Sequence, residues 1–292
     1  MASVRQIRSF NRAVTHRTGA LEDSYLGRGR PLGHARLLFE VAPEGSDIAS
    51  LRERLGLDSG YASRLLRALE TEGLVALQSD PADRRRRLVT LTDRGRAERE
   101  AYDALSDDLA ASLLAPLSRS QRERLVAAMT EVETLMKAAS IAIMPEPEDS
   151  ADAQWCVASY FGELAARFPG GFDPGDGGYA GKPAETAGAF LIARLHGRPV
   201  GCGALKPTGH STAEIKRMWV APEARGLGVA RRLLAALEDA ARRSGLTRVV
   251  LDTNRTLSEA QALYRKAGYR MIERYNDNPY ADFWFEKTLG PE

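Results

Sequence analysis

The chain has 292 residues, which is enough for two domains that each bury a core. Its 41 Lys and Arg nearly balance its 39 Asp and Glu, so the net charge of +2 excludes a strongly basic chain, and any DNA-binding site has to come from a local cluster. The spacing of Cys156 and Cys202 does not match that of metal ligands, so we expect no metal site. No apolar run is suited to a signal peptide or long enough to span a membrane, so we expect no membrane contact and a reduced, cytoplasmic setting.

The N-terminal part of the sequence predicts a series of helices. The first spans 5–21, and a second spans 34–41. A third covers 47–55 with Ser46 as its N-cap, and a fourth covers 60–72 with Asp58 or Ser59 as its N-cap. In the fourth helix, one side is apolar and predicted to face the core: Ala62, Leu65, Leu66 and Leu69. The other side is polar: Ser59, Tyr61, Ser63, Arg64 and Arg67. This succession indicates a helix-turn-helix.

Two strands, over 74–79 and 88–92, follow the helix-turn-helix and flank four consecutive arginines at 84–87. An isolated arginine run is more often a solvated loop. Its position directly after a helix-turn-helix favours contact with a phosphate backbone or a minor groove instead.

The N-terminal part resembles the MarR family of winged-helix regulators over about 1–138. The resemblance is carried by the helix Ser59-Gly60-Tyr61-Ala62-Ser63-Arg64-Leu65, the exit Glu70-x-x-Gly73-Leu74-Val75, and the wing Asp80-Pro81-x-Asp83-x-Arg85 ending in Leu91-Thr92. It implies a mainly α, winged helix-turn-helix domain that binds double-stranded DNA. Asp83 and Arg85 then shape the wing, and the residues implied to contact DNA are Ser59, Tyr61, Ser63, Arg64, Arg67, Arg85, Arg86 and Arg87.

Long helices predicted over 93–114 and 119–138 carry apolar faces that include Leu109, Leu125 and Met136. In MarR proteins such terminal helices pair two chains, so the resemblance implies a homodimer on a palindromic operator. Packing of these faces within one chain is the alternative. No Gly/Ser-rich linker follows, and we place the domain boundary near 138/139, with domains at 1–138 and 139–292.

The C-terminal half alternates predicted strands and helices. A helix over 152–168 precedes a long glycine-rich loop at 169–188, and a hairpin follows around His196-Gly197-Arg198. A strand over 214–220, an amphipathic helix, and further strands over 248–253, 269–273 and 281–288 complete the pattern, with another helix over 258–267. This order predicts an α/β domain with one mixed sheet and helices on both faces.

The turn Arg225-Gly226-Leu227-Gly228-Val229-Ala230 lies between that strand and that amphipathic helix. Its glycines let backbone amides converge on an anion at the helix N-terminus, although an ordinary packing turn is the alternative. The spacing resembles the pyrophosphate loop of the GNAT acyl-CoA N-acetyltransferases. Three further segments extend this resemblance over about 139–289: Ala213-Glu214-Ile215, Leu251-Asp252-Thr253-Asn254, and Ala262-Leu263-Tyr264-Arg265-Lys266-Ala267-Gly268-Tyr269.

The GNAT resemblance implies acetyl-CoA as the acyl donor. Backbone groups of Met218 and Val220 would pair with the pantetheine arm, and Asn254 would lie near the pantetheine or thioester. The amides at the pyrophosphate would come from Arg225, Gly226, Leu227, Gly228, Val229 and Ala230. Arg231 and Arg232 would add charge for the phosphates, unless they are solvated residues of the helix surface.

Two residues are implied to be catalytic. Glu214 is the candidate base, acting through water, or else a carboxylate that orients the substrate. Tyr264 is the candidate acid for the coenzyme A thiolate, or else a packing aromatic. Amides near Val220 would polarise the acyl carbonyl. No Ser/His/Asp or Cys/His pattern is present to indicate a hydrolase. The residues considered for the acceptor side are Glu163, Arg167, Phe172, Asn278 and Tyr280, with helix capping as the alternative for Arg167.

The sequence therefore predicts a bifunctional protein. A dimeric, DNA-binding transcriptional regulator is joined to an N-acetyltransferase that acetylates an amine of a small molecule or a protein. One alternative is a regulator whose GNAT domain is a non-catalytic acyl-CoA or amine sensor, although such a sensor need not keep both Glu214 and Tyr264. Another is an enzyme whose N-terminal half serves only for dimerisation, which the arginine-rich wing disfavours.

Overall fold

The computed structural model describes residues 2–79, 86–174, 188–209 and 211–290. The chain forms two compact units, Met1–Ala128 and Met129–Glu292. The domain boundary near 138/139 stays a prediction. Within the described ranges, no helix combines the length and hydropathy that crossing a bilayer requires.

The first unit contains helices and a small antiparallel sheet. Its elements, in chain order, are α1 (Ala2–Arg17), α2 (Leu32–Glu40), β1 (Ser46–Asp47), α3 (Ile48–Leu55), α4 (Ser59–Thr71), β2 (Val75–Ser79), β3 (Arg87–Leu91), α5 (Asp93–Leu114) and the first part of α6 (Arg119–Ala139). The strand order is β1-β3-β2, and β2 pairs with β3 from Val75 opposite Leu91 to Ser79 opposite Arg87. The predicted helix-turn-helix followed by two paired strands is confirmed.

Helix α4 shows how local sequence builds this unit. The Asp58 carboxylate accepts a hydrogen bond from the Tyr61 amide at 2.9 Å and caps the helix. Asp58 is one of the two residues predicted as the N-cap. The four residues predicted to face the core are all buried. Because they recur at helical spacing, the opposite side of α4 is left polar and exposed.

Two predictions about helix ends are wrong. The N-cap of α3 is Asp47, whose carboxylate accepts from the Ser50 amide at 2.9 Å, whereas Ser46 lies in β1, paired with Val89 of β3. Ser46 lies one residue too early to cap α3, and its hydroxyl accepts instead from the Ala42 amide at 3.0 Å. Helix α1 spans Ala2–Arg17 rather than 5–21 because the chain turns at Gly19, which has a φ of 63°.

The second unit is an α/β unit built on a mixed sheet. After the end of α6, its elements are β4 (Ile141–Pro145), α7 (Ala151–Arg167), β5 (Ala189–Leu195), β6 (Arg198–Pro207), β7 (Thr212–Val220), α8 (Val229–Arg243), β8 (Arg248–Thr253), α9 (Ser258–Lys266), β9 (Arg270–Ile272) and β10 (Phe283–Thr288). Over the described residues, the sheet has seven strands in the order β4-β5-β6-β7-β8-β10-β9, and the predicted mixed α/β fold is confirmed.

The one parallel pairing in this sheet is between β7 and β8, as far as the described strands show, and it is short. It covers Thr212, Ala213 and Glu214 opposite 248–250, after which β7 continues to Val220 without a partner strand on that side. Two neighbouring strands that separate in this way leave a cleft between them, and the rest of the candidate site is arranged around that cleft.

Helix α8 begins beside the cleft and packs on the sheet. Its predicted apolar face is buried throughout: Val229, Leu233, Leu234, Leu237 and Ala241. Gly228 precedes the helix with a φ of 74°, a left-handed conformation in which glycine is less strained than other residues. The turn and the helix therefore hold the loop 225–230 at one end of β7.

Candidate functional site

The edge of β7 that faces the cleft offers backbone polar groups. The Ala221 amide donates to the Val200 carbonyl at 2.9 Å on the β6 side, so by alternation the polar groups of Val220 face the cleft. The Val220 carbonyl indeed accepts from the Arg225 side chain at 3.2 Å rather than from β6. Met218 lies two residues before Val220 in β7, so its backbone polar groups face the same side as those of Val220. An extended ligand could therefore pair with this edge as a strand would.

The loop after β7 is suited to an anion. Leu227 and Val229 are buried and anchor it, while a Cβ placed at Gly226 or Gly228 would meet nothing within 4 Å, so the surface over the glycines is open. No side chain caps α8, and the first amides of a helix have no partner within it. Together with the positive end of the helix dipole, these amides fit a phosphate group.

Three arginines near this loop have different surroundings. Arg225 Nη2 lies 2.6 Å from Glu163 Oε2, so its charge is paired with α7. Arg232 donates to the carbonyls of Ala138 and Ile141 at 2.8 and 2.7 Å, so it is a structural residue and not a solvated one. Arg231 is exposed, and its role at the phosphates stays a prediction.

Two adjoining cavities lie along the cleft. The smaller, of about 220 Å³, reaches from Val220, Arg225 and Ala230 toward α9. The larger, of about 450 Å³, is lined by Asp252 of β8 and by aromatic side chains of α7 and the 278–280 segment. The residues that line both are Tyr160, Leu164, Met218, Leu257, Ala260 and Tyr264.

Two residues of this shared wall carry a phenol, Tyr160 and Tyr264, and the sequence predicts Tyr264 as the acid. Tyr264 is 5% exposed, and its hydroxyl has no hydrogen-bond partner among the described residues. Burial, and secondly the charge of Asp252, raise the pKa of Tyr264 because both disfavour a tyrosinate. The hydroxyl therefore stays protonated at neutral pH, where the two cavities meet.

The predicted acceptor residues are divided between the cavities. Phe172, Asn278 and Tyr280 line the larger one. Glu163 and Arg167 line the smaller one instead, because Glu163 binds both Arg225 and the indole nitrogen of Trp219, at 2.6 and 2.9 Å. An ion pair of 3.5 Å joins Arg167 to Glu163 one helical turn away.

Asn254 lines the larger cavity, but its side chain is engaged. Its nitrogen donates to the Tyr280 carbonyl at 2.6 Å, and its oxygen accepts from the amide and hydroxyl of Thr256, both at 2.9 Å. These bonds position the segment that carries Tyr280. A contact of Asn254 with the pantetheine or thioester stays a prediction.

Glu214 is buried and lies outside the lining of both cavities. One of its oxygens accepts from the Tyr275 hydroxyl at 2.9 Å and from the Asn276 amide at 3.1 Å, and the Lys216 ammonium lies 3.1 Å from the same oxygen. The catalytic role of Glu214 stays a prediction.

Asp252 is the site residue that sequence reasoning missed. It lines the larger cavity, and its two oxygens accept hydrogen bonds from the side-chain amides of Asn276 and Asn278, at 2.6 and 3.0 Å. A signal was available, because Asp252 is an acidic residue at the end of the apolar strand run 249–251. A carboxylate there has to meet a polar partner at the cleft.

The first unit presents a polar face along α4. Ser59, Ser63, Arg64 and Arg67 are exposed. The ring of Tyr61 lies against α2, where Gly33 leaves room for its hydroxyl, and the Arg64 guanidinium lies 5.8 Å from the centre of that ring. Arg86 and Arg87 are exposed as well, whereas Asp83 and Arg85 lie outside the described residues. DNA contact by any of these residues stays a prediction.

Comparison with known proteins identifies both parts of the chain. Residues 158–269 match the acetyltransferase (GNAT) family. An uncharacterised N-acetyltransferase of Schizosaccharomyces pombe is 33% identical over 145 residues, which are 48% of this chain and 88% of that protein. The chain belongs to the GNAT family.

The IAA acetyltransferase of Azospirillum brasilense is 47% identical to this GNAT protein over 105 residues, 34% of this chain and 67% of that protein. The N-terminal part carries a MarR-family domain, matched over 28–86. An uncharacterised HTH-type transcriptional regulator of Bacillus subtilis is 32% identical over 78 residues, 27% of this chain and 48% of that protein. The chain is thus a MarR-family domain joined to an acyl-CoA N-acyltransferase domain, whose acyl donor is acetyl-CoA. The cleft, the uncapped helix and the open loop fit that donor.

Proposed function

We propose that the chain is a bifunctional protein, an acetyl-CoA-dependent N-acetyltransferase and a DNA-binding transcriptional regulator. The transferase part is carried by one observation. The buried residue Tyr264 lies in the wall shared by two cavities, one extending from the loop 225–230 and the other lined by carboxylates and aromatic rings. If the thioester of acetyl-CoA lay where the cavities meet, its pantetheine arm would occupy the smaller cavity and the acceptor amine would occupy the larger one.

In the proposed reaction, an acceptor amine that has lost one proton to water attacks the thioester carbonyl carbon. The C–N bond forms and the C–S bond breaks, and the departing thiolate takes a proton from the Tyr264 hydroxyl. The new amide nitrogen releases its second proton, which restores the tyrosine. A Val220 amide polarises the acyl oxygen. We assign Glu214 a positioning role, since it lines neither cavity and one of its oxygens already binds Tyr275, Asn276 and Lys216.

The regulator part rests on the MarR-family domain and on two exposed surfaces. The exposed arginines of α4 and of β3 supply the phosphate contacts that duplex DNA requires. Helix α1 has no buried residue, yet Val4, Ile7 and Phe10 recur at helical spacing and are exposed by 60%, 58% and 39%. We infer that a second copy covers this apolar face, and that the dimer binds a palindromic operator. DNA and acetyl-CoA occur together in the cytoplasm, the location we propose.

The test is release of coenzyme A thiol by the purified full-length chain, with amino acids, aromatic amines, polyamines and amino sugars as acceptors. Turnover that depends on an amine and is lost in Tyr264→Phe supports the transferase. Binding of acetyl-CoA without turnover on any amine contradicts it and favours a sensor. In that case, duplex affinity measured with and without acetyl-CoA would detect the sensing.

A further inference from the structure

The larger cavity has an aromatic wall. Phe161 and Phe172 have ring centres 5.3 Å apart, and Phe172 and Tyr280 have ring centres 4.8 Å apart. Phe168 packs against both Phe172 and Tyr280, at 6.0 and 5.8 Å. These rings come from α7, from the segment that follows it, and from the 278–280 turn. A volume of about 450 Å³ is enough for a small molecule with one ring.

Two acidic residues line this cavity, the exposed Asp173 and the half-buried Asp252. Asp252 is held by neutral amides, from Asn276 and Asn278, and among the described residues no lysine or arginine lies within ion-pair distance of it. Its negative charge is therefore oriented but not neutralised by those residues. In a partly desolvated cavity, a charge of this kind favours a cationic partner.

The aromatic rings, and not the basic residues, distinguish between cations in this cavity. Lys216 lies 3.1 Å from Glu214, and Arg217 lies 3.5 Å from Glu148, so both cations that line the cavity are ion-paired. Arg217 has a φ of 55° where the register of β6 and β7 shifts. An aromatic ring would bury more apolar surface against Phe172 and Tyr280 than an aliphatic polyamine or a sugar would.

We propose that the acceptor is a small primary amine with one aromatic ring, whose ammonium binds Asp252 and whose ring packs against Phe172 and Tyr280. This inference rests on the proposed acetyl transfer. The net reaction converts the ammonium and acetyl-CoA into the N-acetyl amide, coenzyme A thiol and one proton.

The first experiment compares acceptors on the full-length chain at fixed acetyl-CoA. Phenylalanine and phenethylamine are tested against alanine, spermidine and glucosamine. We expect kcat/KM for the aromatic amines to exceed that for the other three by at least tenfold. A higher kcat/KM for spermidine or glucosamine would overturn the inference while leaving the acetyltransferase function intact.

The second experiment uses Asp252→Asn, with Asp277→Asn as the matched control, because Asp277 is a fully exposed acid on the neighbouring turn. We expect Asp252→Asn to raise KM for the aromatic amine at least tenfold and to leave KM for acetyl-CoA within twofold. Unchanged amine KM in Asp252→Asn, or an equal rise in the control, overturns the assignment. Phe172→Leu gives an independent measure, since it should raise KM for phenylalanine more than KM for leucine.

A third measurement separates failure of this inference from failure of the transferase. If no amine is acetylated, binding of phenylalanine to the chain with coenzyme A is followed by saturation-transfer NMR. Binding that is lost in Asp252→Asn supports the aromatic amine site even without catalysis. Absence of binding in the unaltered chain overturns the site.

Discussion

Arg225 Nη2 lies 2.6 Å from Glu163 Oε2, although the two residues are 62 positions apart in the chain. This ion pair joins the loop after β7 to α7. The Arg225 side chain is thereby held by a carboxylate, and the backbone amides of 225–230, which the sequence assigns to the pyrophosphate, remain the candidates for phosphate binding.

Gly228→Glu should abolish measurable acetyl-CoA binding, with a loss of at least a hundredfold, or about 2.7 kcal/mol. The substitution strains a residue with a φ of 74° and places a negative charge at the phosphates. Isothermal calorimetry measures the affinity. Gly245→Glu is a matched control, because Gly245 has the same φ at the other end of α8 and also faces open space. Tight binding by Gly228→Glu would contradict the assignment of the loop.

Tyr264→Phe should lower kcat by about 10²-fold to 10⁴-fold, as expected for loss of a general acid, and should leave the Kd for acetyl-CoA nearly unchanged. The control is Tyr269→Phe, which removes a hydroxyl from a neighbouring buried tyrosine outside both cavities. Steady-state kinetics with calorimetry separate the two effects. Equal kcat in Tyr264→Phe and the unaltered chain would remove Tyr264 as the acid.

The second unit should lose stability at alkaline pH. Burial raises the pKa of Tyr264 and of Tyr269 above the usual value near 10. Above that pH the unfolded chain releases these protons while the folded chain keeps them, so the free energy of unfolding falls by up to about 1.4 kcal/mol per pH unit for each tyrosine. Urea unfolding at pH 8, 10 and 11 measures the slope. Tyr269→Phe should make it shallower, and an unchanged slope would contradict this account.

Arg86→Ala combined with Arg87→Ala should weaken duplex binding broadly across sequences and lower the slope of log K against log salt by about two. Both residues are exposed at the start of β3. Fluorescence anisotropy at several salt concentrations gives the slope. Arg198→Ala with Arg243→Ala removes the same charge from exposed positions of the second unit and should have little effect. Equal losses of duplex affinity in both double variants would mean that the wing arginines act only through the net charge of the protein.

Ile7→Asp combined with Phe10→Asp should convert the proposed dimer into a monomer, because two charges would enter an apolar face that a second copy covers. Sedimentation velocity measures the mass. Ala2→Asp with Ser9→Asp places the same charges on the opposite side of α1, by helical spacing, and should leave the dimer intact. A monomeric unaltered chain would overturn the proposal.

The sequence by itself determined what depends on neighbours along the chain. Helix faces such as Leu233 and Leu237, the Asp58 cap, and the glycines of the 225–230 loop all express local backbone preferences and helical spacing, so they could be predicted. The prediction for Ser46 failed because α3 begins one residue later, with Asp47 as its cap, while the Ser46 hydroxyl accepts from the Ala42 amide.

The tertiary structure alone decided what faces what across the cleft. Asp252, Asn276 and Asn278 are brought together by the pairing of β8 with β10 and by the turn before it, and Glu163 is brought to Arg225 by the packing of α7. These contacts join residues from 24 to 62 positions apart. No periodicity or motif predicts these contacts, because they join separate elements that come together only when the helices pack on the sheet.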